Sequence, residues 1–256
     1  MAKTNNIERI WPTLSNLSTY LESHTDHLQR YELTFDFIKG KNVADIACGV
    51  GYGTYLMSQY AESVIGFDIS TDALEHAKAN FKNEKTNFLQ ADLLLEKKYD
   101  VIVSFETIEH LSEADGDRFL EKIYTSLLDT GTLIISTPLN ITDQRVNVTP
   151  YHLREYSHDE FLKKLTNNGF SISQWIGQSN CVSERLSKPI IPGLSLNKII
   201  SAGIHRIIPK FIRVKLARYI LKNDSISENT SCKLNHNSLV GAFSQIAICR
   251  KNPIIL

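Results

Sequence analysis

Glu106, Glu109 and His110 stand at i, i+3 and i+4, and His152 follows in a later loop. If a helical turn opens at residue 106, the first three share one face. Two carboxylates and two imidazoles can hold a divalent cation such as Mg²⁺ or Mn²⁺. They can also take a proton from an acceptor hydroxyl. Three roles stay open: metal ligation by Glu106, Glu109, His110 and His152; metal-free acid–base work centred on His110, with Glu106 and His152 beside the acceptor; and packing alone. A second group surrounds a glycine turn. Val43 to Ile46 is a short apolar run, and Gly49, Gly51 and Gly53 follow at alternate positions. Such spacing leaves backbone open to a ligand, and free amides at the helix that follows favour a negative group. Asp45 precedes the turn; Asp68 and Asp92 come later.

Position depends on the elements between these residues. Apolar runs at 43–46, 63–68, 87–92, 99–104 and 131–137 read as strands of five or six residues. They alternate with helices at 54–60, 71–81 and 115–128. Ser157 to Glu160 is a capping box opening a helix to Asn168, followed by strands at 170–176 and 239–250. This is an α/β chain with a doubly wound, seven-stranded, mostly parallel sheet, whose ligand lies at the carboxyl ends of the strands. Residues 1–40 form an N-terminal helical cap, broken near Pro12. Residues 41–178 with 239–252 form the nucleotide-binding domain, and 179–238 a helical insertion before the last strand. Helix packing ahead of the first strand would bring Arg30 or His27 to a carboxylate at the turn; the alternative is a solvated helix face.

A dinucleotide site wants a glycine three residues after Gly51, and Thr54 stands there instead. The spacing, with Asp45 four residues before Gly49, resembles the class I S-adenosylmethionine-dependent methyltransferases. Asp45 to Gly53 is similar to that family's first motif, Asp68 to its ribose acid and Asp92 to its adenine acid. Ser104 to His110 resembles the fourth motif, and Gly131 to Pro138 the fifth strand. The resemblance implies S-adenosylmethionine as cofactor. It places the ribose on Asp68, the adenine between Ile69 and Leu93 near Asp92, and the amino-acid end at Ala47 and Gly49, with Gly51 and Ser104 at the same site. The Glu106-x-x-Glu109-His110 set with His152 is similar to the metal site of small-RNA 2′-O-methyltransferases and to a cluster in ubiquinone-pathway O-methyltransferases. The stretches 147–156 and 27–31 resemble methyltransferases of bacterial surface-polysaccharide and glycolipid synthesis. The expected reaction is O-methylation of a sugar or glycolipid hydroxyl. The rivals are a metal-dependent RNA 2′-O-methyltransferase and a non-catalytic cofactor-binding scaffold.

Composition narrows the partners. The 256 residues carry 28 basic and 28 acidic side chains. Nine of the basic ones lie between Arg185 and Lys222, which has no acid, leaving 19 basic against 28 acidic residues elsewhere. The aliphatic face of that segment favours burial, a dimer surface or peripheral contact with an inner membrane over nucleic acid. Four scattered cysteines, no N-terminal apolar leader and no long apolar run point to the cytoplasm.

Overall fold

The computed structural model describes residues 11–90, 97–140, 151–179, 189–191, 194–195 and 232–252. Three short helices come first: α1 (Leu17–Ser23), α2 (Thr25–Glu32) and α3 (Phe35–Ile38). The helical piece expected before Pro12 lies outside the described residues, and the piece after it is itself broken at His24. Strand β1 (Asn42–Ile46) leads through the glycine turn into α4 (Tyr52–Ser58). Then come β2 (Ser63–Asp68), α5 (Thr71–Asn80), β3 (Thr86–Gln90), β4 (Tyr99–Ser104) and a 3₁₀ turn at Ile108–His110. Next are α6 (Glu113–Ser126), β5 (Leu127–Pro138), α7 (His158–Asn167) and β6 (Phe170–Ser179). A small hairpin, β7 (Pro189–Ile191) and β8 (Leu194–Ser195), precedes β9 (Lys233–His236) and β10 (Ser244–Lys251).

Among the described residues the main sheet has eight strands in the order β3-β2-β1-β4-β5-β10-β6-β9. The first five pair in parallel, and β10 runs antiparallel between β5 and β6. The expected seven strands are corrected by β9, which pairs antiparallel with β6 within the stretch expected to be a helical insertion. Its four residues are too short and too polar to show an apolar period. The last strand starts at Ser244, not Leu239, because a turn at 239–242 precedes it. The rest of the expected helical insertion lies outside the described residues, apart from the β7–β8 hairpin that ends at Ser195.

Each face of the sheet buries its own apolar layer. Phe119, Ile123, Phe161 and Leu165 from α6 and α7 cover one face over Ile102, Leu133 and Ala247. Ile38 and Met57 from α3 and α4 cover the other over Val43, Val101 and Ile134. The helix starts are set by side-chain caps: Ser70, Ser112 and Ser157 each accept from a backbone amide three residues on, and Ser157 with Glu160 completes the capping box. This frame fixes the carboxyl ends of β1, β2, β4 and β5, where the functional residues emerge. No helix among the described residues is long and apolar enough to cross a membrane.

Candidate active site

A cavity of about 790 Å³ opens at those strand ends, within the size range of small-molecule sites. Its walls include Ala47, Gly49, Asp68 and Ile69 on one side and Glu109, His110 and His152 on the other. Arg30 and Tyr31 of α2 form a third wall.

The three glycines divide three tasks. A side chain at Gly49 would meet open space, so this glycine alone opens toward a ligand. At Gly51 a Cβ would lie 2.5 Å from Ala77 Cβ and 2.8 Å from the Phe88 ring. At Gly53 it would lie 1.9 Å from the Tyr31 ring. Gly51 therefore lets α5 and β3 pack beneath the turn, and Gly53 lets α2 settle over it; the expectation that all three face a ligand is corrected. Ala47 and Gly49 both sit in the left-handed region, with φ of 60° and 56°.

Asp68 is bonded as an acid that shapes a turn. Gly49 N–H donates to one carboxylate oxygen and Ser70 N–H to the other, each at 2.8 Å. Ile69 beside it is 71% exposed, a free apolar face at the cavity. Asp92 and Leu93 lie outside the described residues. Asp45, Gly51 and Ser104 do not line the cavity. Asp45 is buried beneath the turn, accepting from Thr54 Oγ1 at 2.7 Å, and Ser104 is fully buried in β4. Asp45 and Ser104 support the site from below, because side chains at the ends of β1 and β4 alternate between cavity and core; Gly51 does so by letting Ala77 and Phe88 pack beneath the turn.

Burial lifts the Asp45 carboxyl from 3.8 to about 7; Asp68 adds to the rise, and the Thr54 bond opposes it. Between pH 4 and 7 the unfolded chain releases this proton and the folded chain keeps it, so folding weakens as pH rises through that window. Asp45→Asn, measured by urea unfolding, should gain on the parent between pH 4 and pH 8 by up to about 4 kcal/mol. A difference independent of pH would mean that this carboxyl is not held protonated.

The expected acid and histidine cluster is assembled in part. One oxygen or nitrogen from each of Glu109, His110 and His152 lies within 4.8 Å of the other two, and the two imidazole centroids are 5.0 Å apart. Glu106 falls outside this group: its Oε1 accepts from Ser136 and Ser244 at 2.6 and 2.8 Å. The turn at 108–110 is 3₁₀ and Glu106 precedes it with φ of 49°, so 106 and 109 do not share a helical face. Glu109 is wholly buried; Oε2 accepts from Thr137 Oγ1 at 3.0 Å, and Oε1 has no hydrogen-bond partner among the described residues. Burial first, and Glu106 second, push its carboxyl well above the usual range.

His110 Nδ1 lies 3.1 Å from the Tyr151 carbonyl. A carbonyl only accepts, so Nδ1 carries the proton and a neutral ring presents Nε2 as its lone pair. His152 Nδ1 lies 2.8 Å from Glu155 Oε1, giving the same tautomer. Glu155 was not anticipated, although a carboxylate three residues after His152 was a visible signal. The loop is tied down where Leu153 and Arg154 amides donate to the Glu109 carbonyl at 2.8 and 3.0 Å. Arg154 is engaged by Glu113 and Glu160, not by the cavity. On α2, Arg30 is 5% exposed and donates to Gln178 at 2.8 Å, which rules out the solvated-face reading. His27 also lines the cavity, and burial beside Arg30 lowers its imidazole to about 4.

Residues 44–135 match the methyltransferase-domain family. That match takes in the end of β1, the glycine turn, Asp68, Glu109 and His110. A Mycobacterium tuberculosis protein named "Probable S-adenosylmethionine-dependent methyltransferase" is 33% identical over 137 residues, covering 51% of this chain and 48% of its own. A similarly named Mycolicibacterium smegmatis protein is 28% identical over 177 residues, 66% of each chain. The match thus spans about half of the first relative and 66% of the second. The DhpI–SAH complex shares the fold of the methyltransferase domain at a TM-score of 0.54 and 16% identity, covering 93% of each chain.

Proposed function

We propose that the chain binds S-adenosylmethionine in this cavity and methylates a hydroxyl of a sugar or glycolipid intermediate. The observation that carries the reading is the single cavity joining Gly49 and Asp68 to Glu109, His110 and His152. A ribose diol suits Asp68, a carboxylate on the cavity wall. Ile69 offers the adenine an apolar face, and Arg30 is placed for the amino-acid carboxylate. Methyl transfer from a sulfonium is an in-line displacement to an already activated carbon, so holding acceptor and cofactor in one cavity supplies much of the rate.

The acceptor proton must also leave. His152, oriented by Glu155, and His110, oriented by the Tyr151 carbonyl, are the imidazoles at the cavity wall suited to take it. The same donors fit a divalent cation: two imidazole nitrogens whose partners fix the tautomer, and a carboxylate oxygen with no hydrogen bond of its own among the described residues. Glu109, His110 and His152 would hold it, and a cation there would lower the acceptor's pKa. Two imidazoles with one carboxylate favour Mn²⁺ over Mg²⁺.

Transfer of labelled methyl to a panel of saccharide, glycolipid and RNA acceptors tests the reaction. Sugar or glycolipid labelling is expected, and labelling confined to RNA would overturn the acceptor class. Chelation should cut activity at least tenfold, with Mn²⁺ restoring it, and His152→Ala should lose as much. A chelator-resistant enzyme that is slowed by His152→Ala would leave the histidines as metal-free bases.

A further inference from the structure

Polar side chains gather where β5, β10 and β6 lie side by side. Ser136, Ser244 and Gln178 are each fully buried, on strands whose neighbouring residues include Ile134, Ile135, Ile246 and Ile176. Buried groups of this kind cost about 1–3 kcal/mol each if left unpaired. All three are paired with charged residues of the cavity wall. Ser136 and Ser244 donate to Glu106 Oε1. Gln178 accepts from Arg30, and its amide donates to the Asp26 carbonyl at 2.8 Å. Arg30 lies 3.9 Å from Glu106 Oε1 and 3.4 Å from Asp26 Oδ2. A continuous polar path therefore runs from the sheet through Glu106 to Arg30 and α2.

Glu106 is itself held in an unfavourable backbone conformation. Its φ of 49° costs a non-glycine residue about 1–2 kcal/mol. Its amide is bonded to the Ser136 carbonyl and hydroxyl at 3.2 and 3.1 Å, which fixes that conformation. Strain kept in place at a cavity wall points to a task for the side chain. The ion pair with Arg30 exceeds hydrogen-bond length, so Glu106 attracts the guanidinium without taking one of its N–H groups.

We propose that Glu106 is a positioning residue: it locks Arg30 of α2 against the sheet, with the guanidinium set to receive a carboxylate in the cavity. The inference rests on the S-adenosylmethionine reading, in which that carboxylate is the cofactor's own. It gives Glu106 a task other than metal ligation or proton transfer.

Calorimetry with two probes tests it: S-adenosylhomocysteine, and 5′-methylthioadenosine, which keeps the nucleoside but has no carboxylate. Glu106→Ala should weaken S-adenosylhomocysteine by about tenfold or more and methylthioadenosine by less than about twofold. Combined with Arg30→Ala it should add little, because the two act as one unit. Glu106→Gln keeps an acceptor for the two hydroxyls and should recover part of the loss. Equal weakening of both probes would mean a general structural role and overturn the proposal. Tighter S-adenosylhomocysteine binding would show that Glu106 merely competes for Arg30, and unchanged binding with lost turnover would return it to the reacting groups; either overturns it. Failure of the parent protein to bind either probe would overturn the cofactor reading itself, and the positioning role with it.

Discussion

Asp68→Ala should reduce S-adenosylhomocysteine affinity by at least about a hundredfold, close to 3 kcal/mol. The size comes from two losses at once. The carboxylate is the proposed ribose acceptor, and a charged hydrogen-bond partner contributes about 1.5–3 kcal/mol. It also holds Gly49 N–H and Ser70 N–H, so its removal loosens the turn that carries Ala47 and Gly49. Asp68→Asn separates these effects. One amide oxygen can keep one of the two backbone bonds, but the charge and the second acceptor are gone. The Asn variant should therefore retain more thermal stability than the Ala variant while still binding weakly. Calorimetry and thermal unfolding on the same samples check both statements. Full affinity in Asp68→Ala would remove the ribose assignment.

The parts of this site that could be read in the sequence are those that local chemistry determines. Buried parallel strands read as continuous apolar runs, so β1, β2 and β4 could be placed from composition alone. The serine cap at 157 marked a helix start because the cap and its partner amide are three residues apart. Asp68 and the His110 turn were found for a related reason: Asp68 closes β2, and the turn comes soon after β4 ends at Ser104. What escaped depends on residues distant in the chain. Nothing near Gly51 reveals that Ala77 and Phe88 lie beneath it. Nothing near Glu106 announces Ser136 on β5 or Ser244 on β10. The same four-residue interval that suggested a helical face for Glu106, Glu109 and His110 is occupied by a left-handed residue and a 3₁₀ turn, and this sends Glu106 toward Arg30 instead. β9 escaped because Lys-Leu-Asn-His has no apolar alternation; its pairing depends on an edge supplied by β6.

The division of labour among the glycines yields the second large effect. Gly53→Ala places a methyl where the Tyr31 ring now sits. Gly53 is in the first turn of α4, so alanine there should gain up to about 1 kcal/mol from backbone entropy. The overlap opposes this and is larger, because Tyr31 is 8% exposed and packed between Tyr52 and Phe105 at centroid distances of 5.7 and 5.3 Å. Overpacking of this kind costs about 1–3 kcal/mol, and displacement of α2 also moves Arg30 from the cavity. Net destabilisation near 2 kcal/mol is expected, with cofactor binding weakened alongside. Gly49→Ala is the contrast: open space surrounds it, and its cost is the left-handed backbone, about 1 kcal/mol. A double-mutant cycle decides the cause. Tyr31→Ala alone should destabilise by about 3 kcal/mol as a large-to-small change. Once the ring is gone, Gly53→Ala should change sign and become neutral or stabilising. If Gly53→Ala costs as much without Tyr31 as with it, the third glycine serves the turn's own backbone and not the seating of α2.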